Sequence, residues 1–301
     1  IFSCLKPTSR AEHNDAGFIY VTYLNGLPTN NVYDIATDEN GCVWIGTHTG
    51  LSKYDGYNVV NYFKEDMNIR SNIIRYLVCD SKNRIWIGSG NGIGLYDNES
   101  GKFLTLDILV GEQLDTKVGG LLDDGSGTIW ASFRDGHLVA INQETFRIRE
   151  YYKDRNTGNY FARIWFEPER NLYLSALFNG GLVYLDPEQG TITPFKDQSG
   201  KLPFEGKVIK GITKVSENDI CITSEDGGIW LIDPFKMTCE QLPLKIPDNT
   251  ISIKKTFMVD ESKLALTHNK GLIIYDLNEK EVTDRHVTDV FANQEVHCVR
   301  G

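Results

Sequence analysis

The sequence has no long apolar run. Nowhere do the roughly 18 consecutive apolar residues occur that a membrane-spanning helix needs. Positive charge is short: 31 Lys and Arg stand against 41 Asp and Glu, for a net charge of −10. That balance excludes the basic footprint by which proteins hold nucleic acid. Its six cysteines, Cys4, Cys42, Cys79, Cys221, Cys239 and Cys298, form no C-x-x-C pair, which excludes zinc ribbons and thioredoxin-type motifs. Their scatter reads as free, partly buried thiols acting as small apolar side chains; a disulfide between distant positions stays open if the protein is exported. His13, His137, His286 and His297 show no metal-ligand spacing, so neither a metal nor another cofactor is expected. A G-x-S-x-G nucleophile elbow is absent. The run GSGNGIG at Gly88–Gly94 lacks the G-x-G-x-x-G order and leads from strand into strand, so it reads as a hairpin turn. No catalytic residue is assigned.

What is present is glycine, 28 residues of it, with 11% aromatics and 41% hydrophobic residues, the mixture of many short strands joined by tight turns. A unit of about 44 residues recurs. It is clearest in VYDIATDENGCVWIGTHTGLSKYDGYNVVNY from Val32 to Tyr62, returns from Ile74 to Leu106, and again from Val118. Trp44, Trp86 and Trp130 mark the phase. Three degenerate units follow, with Tyr173, Cys221 and Ala265 at the Trp position and Gly181, Gly228 and Gly271 matching Gly50, Gly92 and Gly136.

Within the first unit, alternation predicts an inner strand over Val32–Thr37, a turn at Asp38–Gly41, a buried strand around Val43–Ile45, a third over Leu51–Tyr54 and an outer one over Val59–Tyr62. Four antiparallel strands make one propeller blade, and a blade is stable only when neighbours cover its faces. The three Trp side chains are therefore expected between adjacent blades. Phe18–Tyr23 (FIYVTY) resembles an outer strand and Gln294–Val299 (QEVHCV) an inner one. The expectation is thus an all-β, seven-bladed β-propeller with four antiparallel strands per blade, its last blade incomplete. Residues 1–17 read as a leader or extended segment, with blades near 31–63, 73–106, 117–151, 160–195, 208–242 and 250–286, and the partial seventh at 18–23 and 294–299.

The motif D-x-x-G-x-[IV]-W-I-G-T-x-x-G-L-x-x-[YF]-D, carried by Asp38, Gly41, Val43, Trp44, Ile45, Gly46, Thr47, Gly50, Leu51, Tyr54 and Asp55, resembles the two-component regulator propeller family. The second unit has Asn83 in place of the turn Gly, and the third keeps Asp124, Gly127 and Trp130. The resemblance implies the periplasmic sensor part of an inner-membrane-anchored hybrid two-component histidine kinase of Bacteroides type. It implies an oligosaccharide ligand, control of glycan-utilisation genes, and partnership with a second propeller and downstream domains of the same chain. A homodimer is left open. The segment itself is expected not to be an enzyme.

Propeller geometry places the turns between second and third strands, and the connections between blades, on one face. Flat aromatic rings suit the C–H faces of sugars, while amides and guanidinium groups suit hydroxyls. The candidates are His48, Asn91, Arg134, Tyr160, Phe178, Asn179 and His268. Phe133 is a further aromatic, and Arg70, Arg155, Lys207 and Lys270 are further cations for an acidic glycan. The plainer reading of each is a solvated turn former. Two other functions compete: an enzyme using Glu225, Asp226 and Asp135 as acid and base, and a protein-interaction scaffold.

Overall fold

The computed structural model describes residues 2–3, 21–104, 117–153, 160–167, 170–186, 188–244, 252–269, 271–283 and 299–300. A short strand β1 spans Phe2–Ser3. Six four-stranded antiparallel sheets follow, each built from consecutive strands. Sheet 1 holds β2 (Val32–Thr37), β3 (Val43–Thr47), β4 (Leu51–Tyr54) and β5 (Val59–Tyr62). Sheet 2 holds β6 (Ile74–Cys79), β7 (Arg84–Ser89), β8 (Ile93–Asp97) and β9 (Lys102–Leu104). In sheet 3 are β10 (Val118–Asp123), β11 (Thr128–Phe133), β12 (His137–Asn142) and β13 (Ile148–Lys153). Sheet 4 comprises β14 (Phe161–Glu167), β15 (Leu172–Leu177), β16 (Leu182–Asp186) and β17 (Thr191–Pro194). Sheet 5 comprises β18 (Ile209–Lys214), β19 (Ile220–Ser224), β20 (Ile229–Asp233) and β21 (Thr238–Leu242). Sheet 6 is formed by β22 (Ile253–Met258), β23 (Lys263–His268), β24 (Gly271–Asp276) and β25 (Glu281–Val282). The last strand, β26 (Val299–Arg300), pairs antiparallel with β1. The chain divides into two compact units, one of residues 23–194 with sheets 1 to 4, the other of residues 1–22 and 195–301 with sheets 5 and 6.

The blade count corrects the expectation from sequence: among the described residues the propeller has six four-stranded blades, not seven. Val21 and Thr22 form no strand, and Tyr23–Asn25 is a single 3-10 turn whose first N–H, on Tyr23, donates to Asn30 Oδ1 at 2.8 Å. At the other end Val299–Arg300 is strand, and it pairs with Phe2–Ser3. Residues 18–20 and 294–298 lie outside the described residues. Val21 and Thr22 have β-branched composition and strand propensity, but a strand also needs a partner in register.

Local chemistry fixes the blades. In sheets 1 to 3 an aspartate at the first hairpin closes it from inside. Asp38 Oδ1 accepts from the Asn40 and Cys42 amides at 3.0 and 2.9 Å, and its Oδ2 accepts from the Trp44 indole at 2.9 Å. Asp80 repeats this with Lys82, Arg84 and the Trp86 indole, and Asp124 with Ser126 and the Trp130 indole. Asn83 takes φ +57°, the left-handed turn conformation that Gly41 and Gly127 take in the neighbouring hairpins and that Asn tolerates.

The three indoles are fully or almost fully buried, each against the next sheet. Trp44 packs with Ile74, Leu77 and Ile87 of sheet 2. Trp86 packs with Val118, Ile129 and Val139 of sheet 3, and Trp130 with Phe161, Tyr173 and Leu185 of sheet 4. In the second unit, Cys221, Ile229 and Leu242 pack with Leu264, Leu266 and Tyr275. Cys42, Cys79, Cys221 and Cys239 are free thiols; Cys4 and Cys298 lie outside the described residues.

Candidate functional site

Every inner strand carries one irregularity at the same place. Between the first and third residues of β2, β6, β10, β14, β18 and β22 the pairing with the next strand slips by one. The bulged residues are Tyr33, Arg75, Gly119, Ala162, Lys210 and Lys254. A bulge frees a side chain from the pleat and re-aims it.

In the first unit these positions build an aromatic and cationic cluster. The Tyr33 hydroxyl and His48 Nδ1 are 2.9 Å apart in a hydrogen bond, and the Arg75 guanidinium lies 4.7 Å from the centre of the Tyr33 ring. Sheet 3 offers no side chain at its bulge. A Cβ on Gly119 would lie 2.5 Å from Cδ2 of Tyr160, so the buried Tyr160 ring occupies that space. The Phe178 amide donates to the Tyr160 carbonyl at 2.8 Å, and the two rings stack at 4.6 Å and 16°. Phe178, stacked on Tyr160, remains 47% exposed. The Arg134 guanidinium is 5.7 Å from the Tyr160 ring centre, and Arg163 donates from Nη1 to the Ala162 carbonyl at 2.8 Å. Burial pushes the Tyr160 phenol up, against downward pulls from Arg134, Arg163 and Arg75.

The turn that carries Arg134 is poorly satisfied. Arg134 Nε, Asp135 Oδ2 and both ring nitrogens of His137 are buried without a hydrogen bond. His137 is fully buried, with Nδ1 2.8 Å from Asp135 Oδ1 but out of line for a hydrogen bond, and Nε2 3.8 Å from Glu150. Among the described residues neither Arg75 nor Arg134 has an ion-pair partner. Buried polar groups without partners are uncommon and call for an occupant.

The structure thus brings Arg134, Tyr160 and Phe178 together, with the exposed Asn179 beside Phe178, and seats His48 on Tyr33. Asn91 is half-buried in the adjacent turn, its amide donating to Ser89 Oγ at 3.1 Å. His268 belongs to the other unit, buried at the end of β23. Phe133, offered as a sugar platform, is instead buried in the core with Trp86. Arg155, Lys270, His13, His286 and His297 lie outside the described residues. Sequence reasoning missed Tyr33, Arg75 and Arg163. Their signal was faint: bulky or charged residues within the first three positions of inner strands otherwise rich in apolar residues.

In the second unit the acids proposed for catalysis are occupied. Lys207 Nζ lies 2.5 Å from Asp226 Oδ2, and Ser224 Oγ also donates to Asp226. Burial raises the Asp226 carboxyl, but Lys207 and Ser224 outweigh it and hold the group below its ordinary range. Lys210 is 3.2 Å from Glu225, which also accepts from Ser252 Oγ. Each carboxyl is thus tied to a lysine and a serine hydroxyl at its turn, an arrangement that does not present a free proton donor. Among the described residues no group of three or more His, Cys, Asp or Glu side chains is placed to hold a metal.

The two component regulator propeller family matches residues 26–49 and 68–91, so the first two blades carry that family's repeats. A histidine kinase of Formosa agariphila is 36% identical over 62 residues, 21% of this chain and 4% of that protein. The extracellular domain of a hybrid two component system of B. thetaiotaomicron shares the fold, at 18% identity and TM-score 0.69, over 87% of this chain and 36% of that one. Virginiamycin B lyase from Staphylococcus aureus shares it too, at 18% identity and TM-score 0.67, over 90% of this chain and 85% of the lyase. This chain therefore spans a small part of the kinase and about a third of the extracellular domain it matches.

Proposed function

We propose that this chain, which carries two component regulator propeller repeats, is a ligand-sensing domain of a hybrid two-component sensor histidine kinase. It is anchored at the inner membrane with this domain in the periplasm, and its ligand is an oligosaccharide whose presence switches glycan-utilisation genes. The observation that carries the reading is the partly exposed ring of Phe178, stacked on the buried Tyr160 ring and flanked by Arg134. A partly exposed ring offers a flat apolar surface to a sugar, and its stacked partner holds the orientation in advance. Ligand binding biases the receptor only by its differential affinity for two arrangements of the receptor, relayed through further domains of the same polypeptide. The lyase likeness is one of fold, and the paired acids Glu225 and Asp226 give a catalytic reading little support.

Titration calorimetry of the purified chain against neutral and acidic oligosaccharides tests this. Binding by at least one series, weakened about tenfold or more in Phe178→Ala with unchanged melting, is the expected result. No binding in either series, or binding indifferent to Phe178, overturns the saccharide reading at this site.

A further inference from the structure

We infer that the ligand presents a carboxylate, and that Arg75 and Arg134 read it: the sugar on the Phe178 platform is a hexuronic acid. This rests on the saccharide reading of the same site and adds the charge and shape of the group recognised.

The first reason is a contrast between equivalent positions. Arg75 is the bulged residue of the inner strand in sheet 2, and Lys210 is its counterpart in sheet 5. Lys210 has its own counter-ion, Glu225 at 3.2 Å. Among the described residues Arg75 has no acid, and its guanidinium lies 4.7 Å from the centre of the Tyr33 ring. The turns show the same contrast: in sheet 5 Asp226 is bound by Lys207, whereas in sheet 3 Arg134 has no acid and its Nε is buried without an acceptor. Asp135, next to Arg134 in sequence, faces His137. In a chain of net charge −10, with acids in excess, two arginines left without one mark a place kept open for an outside anion.

The second reason is geometry. Both guanidinium groups lie against tyrosine rings, Arg75 on Tyr33 and Arg134 near Tyr160. A guanidinium held over an aromatic ring keeps in-plane N–H donors for a further partner. Edge-on, in-plane donors match a planar two-oxygen acceptor, which is a carboxylate. Arg75 stands at the bulge of β6 beside β10, whose own bulge at Gly119 is filled by the Tyr160 ring that Arg134 approaches, and the Phe178 ring lies stacked on that same tyrosine. A pyranose with its C–H face on Phe178 and its carboxylate toward the arginines uses every feature of the cluster.

The test pairs each acidic oligosaccharide with its own neutral form. Oligomers of galacturonate, glucuronate and mannuronate, their carboxyl-reduced counterparts and a sulfated neutral series are titrated into the purified chain by calorimetry at two salt concentrations. At least one uronate series should bind tenfold or more tighter than its reduced counterpart, with affinity falling as salt rises. Arg134→Gln and Arg75→Gln should each lose about tenfold for the acid and little for any neutral oligomer, at unchanged melting temperature. Arg134→Lys should restore only part, which separates planar recognition from charge alone. Equal binding of acid and reduced forms overturns the carboxylate inference and leaves the saccharide reading standing, as does a preference for the sulfated series. No binding in any series overturns both.

Discussion

Sheets 1 to 3 and sheets 5 and 6 solve the same packing problem by different chemistry. In the first group the residue facing the next blade is Trp44, Trp86 or Trp130, and six positions earlier stands Asp38, Asp80 or Asp124, accepting from the indole. In sheets 5 and 6 the residues at the Trp position are Cys221 and Ala265, and six positions earlier stand Val215 and Val259. Donor and acceptor disappear together. A buried indole N–H demands an acceptor, and a buried carboxylate demands donors, so neither is tolerable alone. Sheet 4 stands between them, with Tyr173 at the Trp position and Glu167 at the Asp position, the tyrosine hydroxyl 3.5 Å from Asp124 of the preceding sheet. The unit of repetition is therefore a pair of positions, not a single aromatic.

The largest effect should come from the donor side. Trp86→Ala empties the contact with Val118, Ile129 and Val139 and strands Asp80, for a loss of about 3–5 kcal/mol. Cys221→Ala at the equivalent position of sheet 5 should cost about 1 kcal/mol, since only a small side chain leaves. Urea denaturation of both variants measures the gap. Equal losses would mean that the indole sites are not what distinguishes the two groups.

Next comes the acceptor side. Asp80 is buried and takes hydrogen bonds from Arg84 Nε at 2.9 Å and the Trp86 indole at 2.8 Å, while Arg84 also reaches the Gln143 carbonyl of sheet 3. Asp80→Ala leaves a nearly buried guanidinium uncompensated and should cost about 3 kcal/mol. Val215→Ala should cost about 1 kcal/mol or less, because that side chain is only partly buried and bonds to nothing.

What was legible in the sequence follows the same division. The indole pairs announce themselves by residue type and spacing, so the strands of sheet 1 stand where alternation put them, at Val32–Thr37, Leu51–Tyr54 and Val59–Tyr62. The count of blades was not legible, because Val21 and Thr22 have strand composition and composition says nothing about a partner. The cluster was half legible. Arg134, Tyr160 and Phe178 lie in turns, which face-of-the-disc reasoning can find. Tyr33 and Arg75 lie inside strands and are turned by bulges, which no periodicity reveals.

A smaller effect distinguishes two acids within the Trp-bearing group. Burial raises Asp80, yet bonds from Arg84 and Trp86 outweigh it and leave its carboxyl below the ordinary value of 3.8. Its contribution is present above that ordinary value and is lost as pH falls through the depressed one. Asp123 is the reverse: burial dominates and raises it, so its stabilising effect exists only below the ordinary value and fades as pH rises through the raised one. Asp80→Asn should flatten the acid limb of stability below about pH 4, and Asp123→Asn should add stability at pH 7. Urea midpoints between pH 2.5 and 7 check both signs.

The smallest effect should be the same in both groups. Lys82 of sheet 2 bonds Glu144 of sheet 3, and Lys280 of sheet 6 bonds Glu240 of sheet 5 at 2.5 Å, each pair bridging neighbouring blades at the surface. All four side chains are largely solvated, so Coulomb attraction is screened and holding two long chains costs entropy. Lys82→Ala and Lys280→Ala should each shift stability by about 0.5 kcal/mol or less. The difference between the two groups of blades would then lie wholly in what is buried between them. A loss above about 1 kcal/mol in Lys280→Ala alone would show instead that sheets 5 and 6, lacking indole pairs, rely on their surface ions, and the contrast drawn from Trp and Asp would have to be moved outward to the rim.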